Sequence, residues 1–181
     1  MKYPMKSSFV LLVGVMLLSL MGCSNKESEL TGALDVEFSL MNEKGEKTNE
    51  FSEGENIIFR LEIKNNSDDD VVLAHTNIAD ILGHNAFRVY TIDGKDMGTP
   101  WDAFIDDFLG AFLLSAHQTR IAECPWMNTS GLTDTNNENT YSGLFIKNRA
   151  NTKLSTGEYY SKFNIKLGNE DIVCKQAFNI K

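Results

Sequence analysis

Few side chains in this chain of 181 residues could do chemistry: three cysteines, three histidines and several groups of acids. Cys23 stands where an apolar run ends in Gly22-Cys23 and turns at once into Ser24-Asn25-Lys26-Glu27. A thiol is the soft nucleophile that can carry a thioether, and serine could not replace it. His75, His84 and His117 form no HExxH, and no Cys-x-x-Cys occurs, so no ordinary zinc site is encoded locally. His75 and His84 flank one irregular segment and could meet in space, although loop histidines are exposed by default. Acids gather at Asp68-Asp69-Asp70, at Asp102, Asp106 and Asp107, and around Asp134, Asn136 and Glu138. The last group alternates somewhat like a calcium loop, but its sixth position is Asn139 rather than Gly and no bidentate Glu closes it. All three read as solvated turns. Without a Gly-x-Ser-x-Gly elbow, a Ser-x-x-Lys or a glycine-rich phosphate loop, no catalytic residue, metal ligand or cofactor is assigned. The chain reads as a non-enzyme.

Aromatic residues are the other candidates. Trp101, Trp126, Tyr159 and Tyr160 could supply stacking rings for a sugar, or could equally well be core. Trp101, Phe104, Ile105, Phe108, Leu109, Phe112 and Leu113 follow the i, i+3, i+4, i+7 stripe of a helix, with Thr99 as cap and Pro100 in the first turn. This predicts a short helical insert over residues 100–114, with Gly110 opposing it by about 1 kcal/mol. Its stripe either packs on the body of the protein or docks a partner. On the second reading Trp101, Phe104 and Phe108, together with Trp126, are the candidate binding residues.

The elements that must position these side chains are strands. Leu34, Val36, Phe38 and Leu40 alternate with polar residues, as do Ile57, Phe59, Leu61 and Ile63. Residues 71–74 and 87–92 read as short strands, the latter running into Asp93-Gly94, a hairpin signal because both turn positions favour positive φ. Around residues 120–126, Arg120, Ala122, Cys124 and Trp126 fall on one side. Tyr159, Phe163, Ile165 and Leu167, then Ile172, Cys174, Phe178 and Ile180, predict a terminal hairpin turning at residues 168–171. Residues 127–142 form a polar loop, and no repeat suggests a solenoid.

Lys2 and Lys6 precede an apolar run over residues 9–21, the order of an export signal. Thirteen residues at about 1.5 Å each reach about 20 Å, short of a hydrocarbon core of roughly 30 Å. In an oxidising compartment Cys124 and Cys174 read as one disulfide, with two buried thiols as the alternative. Closing that loop would stabilise the fold by about 4 kcal/mol. Leu20-Met21-Gly22-Cys23 resembles the lipobox of bacterial lipoproteins. The resemblance implies cleavage before Cys23, a diacylglyceryl thioether on its sulfur and usually an acylated (palmitate-type) amino terminus. Ser24 in the next position commonly accompanies passage to the outer membrane in that family, and periplasmic and surface orientations both stay open. Two or three acyl chains make a lasting anchor where one would not. Removing residues 1–22 takes two lysines and no acid, leaving 15 basic against 25 acidic residues. A surface of that sign repels phosphate backbones, so nucleic acid is not an expected partner.

Three parts follow: a lipoprotein signal peptide over residues 1–22, a solvated tether over 23–32 and one domain over 33–181. Seven or so short strands with turn-rich joints point to an all-β, immunoglobulin-like antiparallel β-sandwich with one helical insert. "FSEGENIIFRLEIKNNSDDDVVL", "FRVYTIDGKDMGTPW" and "LSTGEYYSKFNI" resemble the framework of immunoglobulin-like domains in bacterial envelope lipoproteins. They are similar, more loosely, to the bacterial intracellular proteinase inhibitor family. This chain departs from that family in its export signal and insert, so no inhibitory loop is carried over. The expected function is a lipid-anchored envelope protein whose domain binds an envelope protein or glycan. The alternatives are a proteinase inhibitor and a glycan-binding accessory protein.

Overall fold

The computed structural model describes residues 32–73, 86–103, 112–127, 146–148, 151–167 and 170–181. Twelve strands lie among them: β1 Leu34–Met41, β2 Glu50–Phe51, β3 Ile58–Asn65, β4 Val71–Leu73, β5 Val89–Thr91, β6 Asp96–Gly98, β7 Trp101–Ala103, β8 Phe112–Leu114, β9 Thr119–Pro125, β10 Ile146–Asn148, β11 Gly157–Leu167 and β12 Glu170–Ile180. The fold is all-β, and almost every pairing is antiparallel. One sheet has the order β1-β3-β9 and a larger one β2-β12-β11-β5-β6, while β4-β8 and β7-β10 are two-stranded ribbons.

Strict alternation sets the faces. In β11, Tyr159, Phe163, Ile165 and Leu167 are buried and Glu158, Lys162, Asn164 and Lys166 exposed. A one-residue slip would carry that apolar set into water, which fixes the register with β12 from Gly157↔Ile180 to Leu167↔Glu170. The three- and five-stranded sheets share one core. Phe38 of β1 meets Phe163 of β11 edge-on at 5.0 Å, and Phe87 lies 5.0 Å from Phe163 and 5.8 Å from Phe59 of β3. Each such fully buried ring contributes about 1.5–3 kcal/mol. Phe87 adopts φ 59°, a left-handed conformation that is strained for a bulky residue and is held by the rings around it.

The segment around Trp101 departs from the helical expectation. Trp101–Ala103 pairs with Ile146–Asn148, and Phe112–Leu114 pairs with Val71–Leu73, so both ends of the stripe are strands. The residues between, including Phe104 and Phe108, lie outside the described residues. Thr99 does not cap a helix; its hydroxyl donates to the Ala86 carbonyl at 2.9 Å. Bulky aromatic and branched side chains suit a pleated surface, and partner strands distant in sequence supply backbone bonds that override a local 3.6-residue pattern.

The hairpin at Asp93-Gly94 is present, but only Gly94 takes positive φ, at 90°. The loop is wider than a two-residue turn and is closed by Thr91 N–H to the Lys95 carbonyl at 2.9 Å.

Cys124 and Cys174, the pair expected to cross-link, come from β9 and β12. Both residues are buried in the shared core, and Cys124 Sγ lies 3.8 Å from the Pro125 carbonyl oxygen. Burial pushes this thiol's pKa up, so it stays protonated.

Candidate functional site

The polar side chains singled out in the sequence divide into those that tie loops and those that face water. Asn65 ends β3 and is 0 % exposed. Its Nδ2 donates to the carbonyls of Asp69 (2.7 Å), Leu114 (3.1 Å) and Ser115 (3.1 Å), and its Oδ1 accepts from Ser67 N–H (3.0 Å) and Oγ (2.7 Å). The stretch "NNSDDD" is therefore stitched to the turn after β8. Asp70 accepts from Ala116 N–H at 3.0 Å, and His117 Nε2 meets Asp68 Oδ1 at 3.0 Å in an exposed pair. Asn56 makes a second bracket, donating to the Met127 carbonyl and accepting from its N–H, both at 2.8 Å.

Trp126 belongs to this frame. It is 3 % exposed, packs on Phe59 at 6.2 Å and donates Nε1–H to the Thr152 carbonyl at 2.9 Å. The structure thus places Trp126 in the core rather than on a surface where a sugar could stack. Trp101 sits in the β7–β10 ribbon, while Phe104, Phe108, His75, His84 and Cys23 lie outside the described residues. Among the described residues no group of three or more His, Cys, Asp or Glu is placed to hold a metal ion, and no helix is long and apolar enough to cross a membrane. The β4–β8 ribbon turns Leu114 inward and shows the cross-strand pair Val72 and Leu113 to solvent, 56 % and 46 % exposed.

The two outer sheet faces differ in how their charges are arranged. On the three-stranded sheet Glu37 lies opposite Glu62, a like-charge pair. Lys47 bonds Glu37 at 2.6 Å, and Arg60 bridges Glu62 and Glu123, its Nε reaching Glu62 at 2.8 Å. Burial lowers the Arg60 pKa, but the hydrogen bonds and charges of Glu62 and Glu123 outweigh it and leave the guanidinium more firmly protonated.

On the five-stranded sheet Lys162 lies directly opposite Lys175. Next to Lys162 on the other side runs Arg88, whose carbonyl accepts from Lys162 N–H at 3.0 Å. Arg88 is bonded to Asp96, with Nε–Oδ2 at 2.9 Å. That contact holds the Asp96 carboxyl below the usual carboxylate range and raises Arg88. Neither lysine of the pair has a carboxylate partner among the described residues. Lys175 Nζ instead sits 4.8 Å over the Tyr160 ring, and Tyr160 stacks on Tyr90 at 5.2 Å. The result is a row of cations across three strands, edged by two half-buried tyrosines. Sequence reasoning missed it because strand order, not spacing, brings Arg88, Lys162 and Lys175 side by side. The one available signal was the outward phase of Tyr160 and Lys162 within β11.

No family model matches this chain, and no curated protein or solved structure is detectably similar to it. The functional reading rests on the residues themselves.

Proposed function

We propose that this chain is a lipid-anchored, non-enzymatic envelope protein whose residues 33–181 form an immunoglobulin-like β-sandwich used as a binding module, with the outer face of the five-stranded sheet as its binding surface. The anchor reading rests on Leu20-Met21-Gly22-Cys23 between an apolar run and a polar tether. An immunoglobulin-like topology is supported by two mainly antiparallel sheets that face each other over one core. The observation that carries the binding role is the Lys162–Lys175 pair, without a carboxylate partner among the described residues on a chain that is acidic overall. Rigid sheets hold the backbone of such a surface in place, so that binding orders side chains only.

Two measurements test this. Mass spectrometry of the membrane fraction should find acylated Cys23, and Cys23→Ser should release the protein. In intact cells, a photo-cross-linker at Asn164, beside the lysine row, should capture an envelope component that the same probe at Asp35, on the opposite sheet, does not. An unmodified Cys23 in a secreted product would end the anchor reading. Equal capture at both positions, or none at either, would end the binding reading.

A further inference from the structure

We infer that the ligand of this face is an anionic glycan, a saccharide chain bearing carboxylate, sulfate or phosphate groups that lies across the Arg88–Lys162–Lys175 row; this rests on the binding-module reading above. Like charges directly opposite on a ladder are destabilising. Elsewhere the chain resolves them: Lys47 and Arg60 attend the Glu37/Glu62 pair, and two rows along the same hairpin Lys166 lies opposite Asp171. Among the described residues the Lys162–Lys175 pair has no carboxylate against it, although acids outnumber bases in the sequence by 25 to 17. A third cation, Arg88, occupies the same row and pairs with Asp96.

The shape of the site narrows the chemistry. Adjacent strands stand about 4.8 Å apart, so the row offers cations over roughly 10 Å of a sheet face, which suits an extended polymer better than a compact ion. Along β11, Tyr160 is two residues from Lys162, about 7 Å away on the same face. The Tyr90–Tyr160 stack and the exposed Asn164 put ring edges, hydroxyls and an amide beside the cations, the mixture that sugar rings and their hydroxyls contact. Lys175 is already oriented by its seat over Tyr160, so less side-chain freedom is lost on binding. The acids of the other sheet do not cancel the row. They lie across a core about 10 Å thick, and the screening length at physiological salt is about 8 Å.

The test uses the full chain solubilised in detergent, with labelled polygalacturonate and dextran sulfate as anionic probes, neutral dextran of matched length, and phosphatidylglycerol vesicles. Binding to either anionic polymer should weaken with added salt, and neutral dextran should not bind. Lys162→Gln and Lys175→Gln should each weaken binding about fivefold and the double variant at least tenfold, with Lys162→Arg restoring it. Unchanged thermal unfolding in Lys162→Gln would separate the effect from misfolding. The inference is overturned if neither anionic polymer binds, if neutral dextran binds equally, if the double variant binds as before, or if vesicles bind as tightly as the polymers. A protein captured by the Asn164 cross-linker without any polyanion binding would overturn this inference and leave the binding-module reading standing.

Discussion

Replacing Asn65 should cost more stability than any other single polar substitution in the described frame. The side chain accepts two hydrogen bonds from Ser67 and distributes its two amide hydrogens among three carbonyls, so about four full bonds disappear in Asn65→Ala. At about 1 kcal/mol net each, the direct loss is about 4 kcal/mol. The Asp69 carbonyl is near solvent and regains water, whereas the contact to the Leu114 carbonyl is buried and leaves that oxygen unsatisfied. The two corrections oppose each other, and a net loss of about 3–4 kcal/mol is expected, or roughly 10 °C in Tm for a body of this size. Asn65→Asp is the discriminating partner. It keeps an acceptor for Ser67 but sets a carboxylate oxygen against three carbonyl oxygens, so at pH 7 it should be at least as destabilised as Asn65→Ala. Protonating the new acid returns a donor, so the gap to the parent should narrow below about pH 4. Urea denaturation followed by Trp126 fluorescence reads both effects. A loss under about 1 kcal/mol in Asn65→Ala, or an Asn65→Asp variant more stable than Asn65→Ala at pH 7, would refute the argument.

Other substitutions probe the core and the surface. Phe87→Ala should cost about 3–5 kcal/mol through lost packing, and Phe87→Gly should cost no more than Phe87→Ala because glycine tolerates φ 59°; a Gly variant clearly less stable by urea denaturation would contradict the left-handed assignment. Cys124 should resist a thiol reagent in the native protein, since burial shields its sulfur and pushes its pKa up; rapid native labelling would refute this. The Arg88–Asp96 pair should contribute its stability above the ordinary Asp pKa of about 4 and lose it as pH falls through the depressed folded value. The stability difference between the parent and Asp96→Asn should therefore be flat near neutral pH and shrink in acid; a difference that grows on acidification would reverse the assignment.

How much of this could be read from residues alone follows the range of the forces involved. Alternation in β1, β3, β11 and β12 is local, and their buried faces are the ones the sequence indicates, down to Cys174 pointing inward. The stripe at Trp101 misleads at its two ends because Trp101, Phe112 and Leu113, at helical spacing, also suit two short strands once Val71–Leu73 and Ile146–Asn148 supply partners. Trp126 is ambiguous for a different reason: an indole suits a sugar or a core equally, and only the Thr152 carbonyl decides. The lysine row is the least legible feature, since Arg88 and Lys175 become neighbours of Lys162 through the strand order β12-β11-β5.

The parallel pairing of β2 with β12 sets a timetable. Glu50 and Phe51 bind Asn179 and Ile180, with Asn179 N–H donating to Asn49 and Lys181 N–H to Phe51, both at 2.8 Å. These partners are synthesised about 130 residues later, a wait on the order of 10 s at ribosomal speeds. Until then Phe51 has no Phe178 to rest on, and the larger sheet lacks β12, the strand that joins β2 to β11. The body therefore closes only after translation has passed residue 180. For a polypeptide exported as proposed here, that delay keeps the chain loose enough to thread a narrow pore and leaves its assembly to the far side.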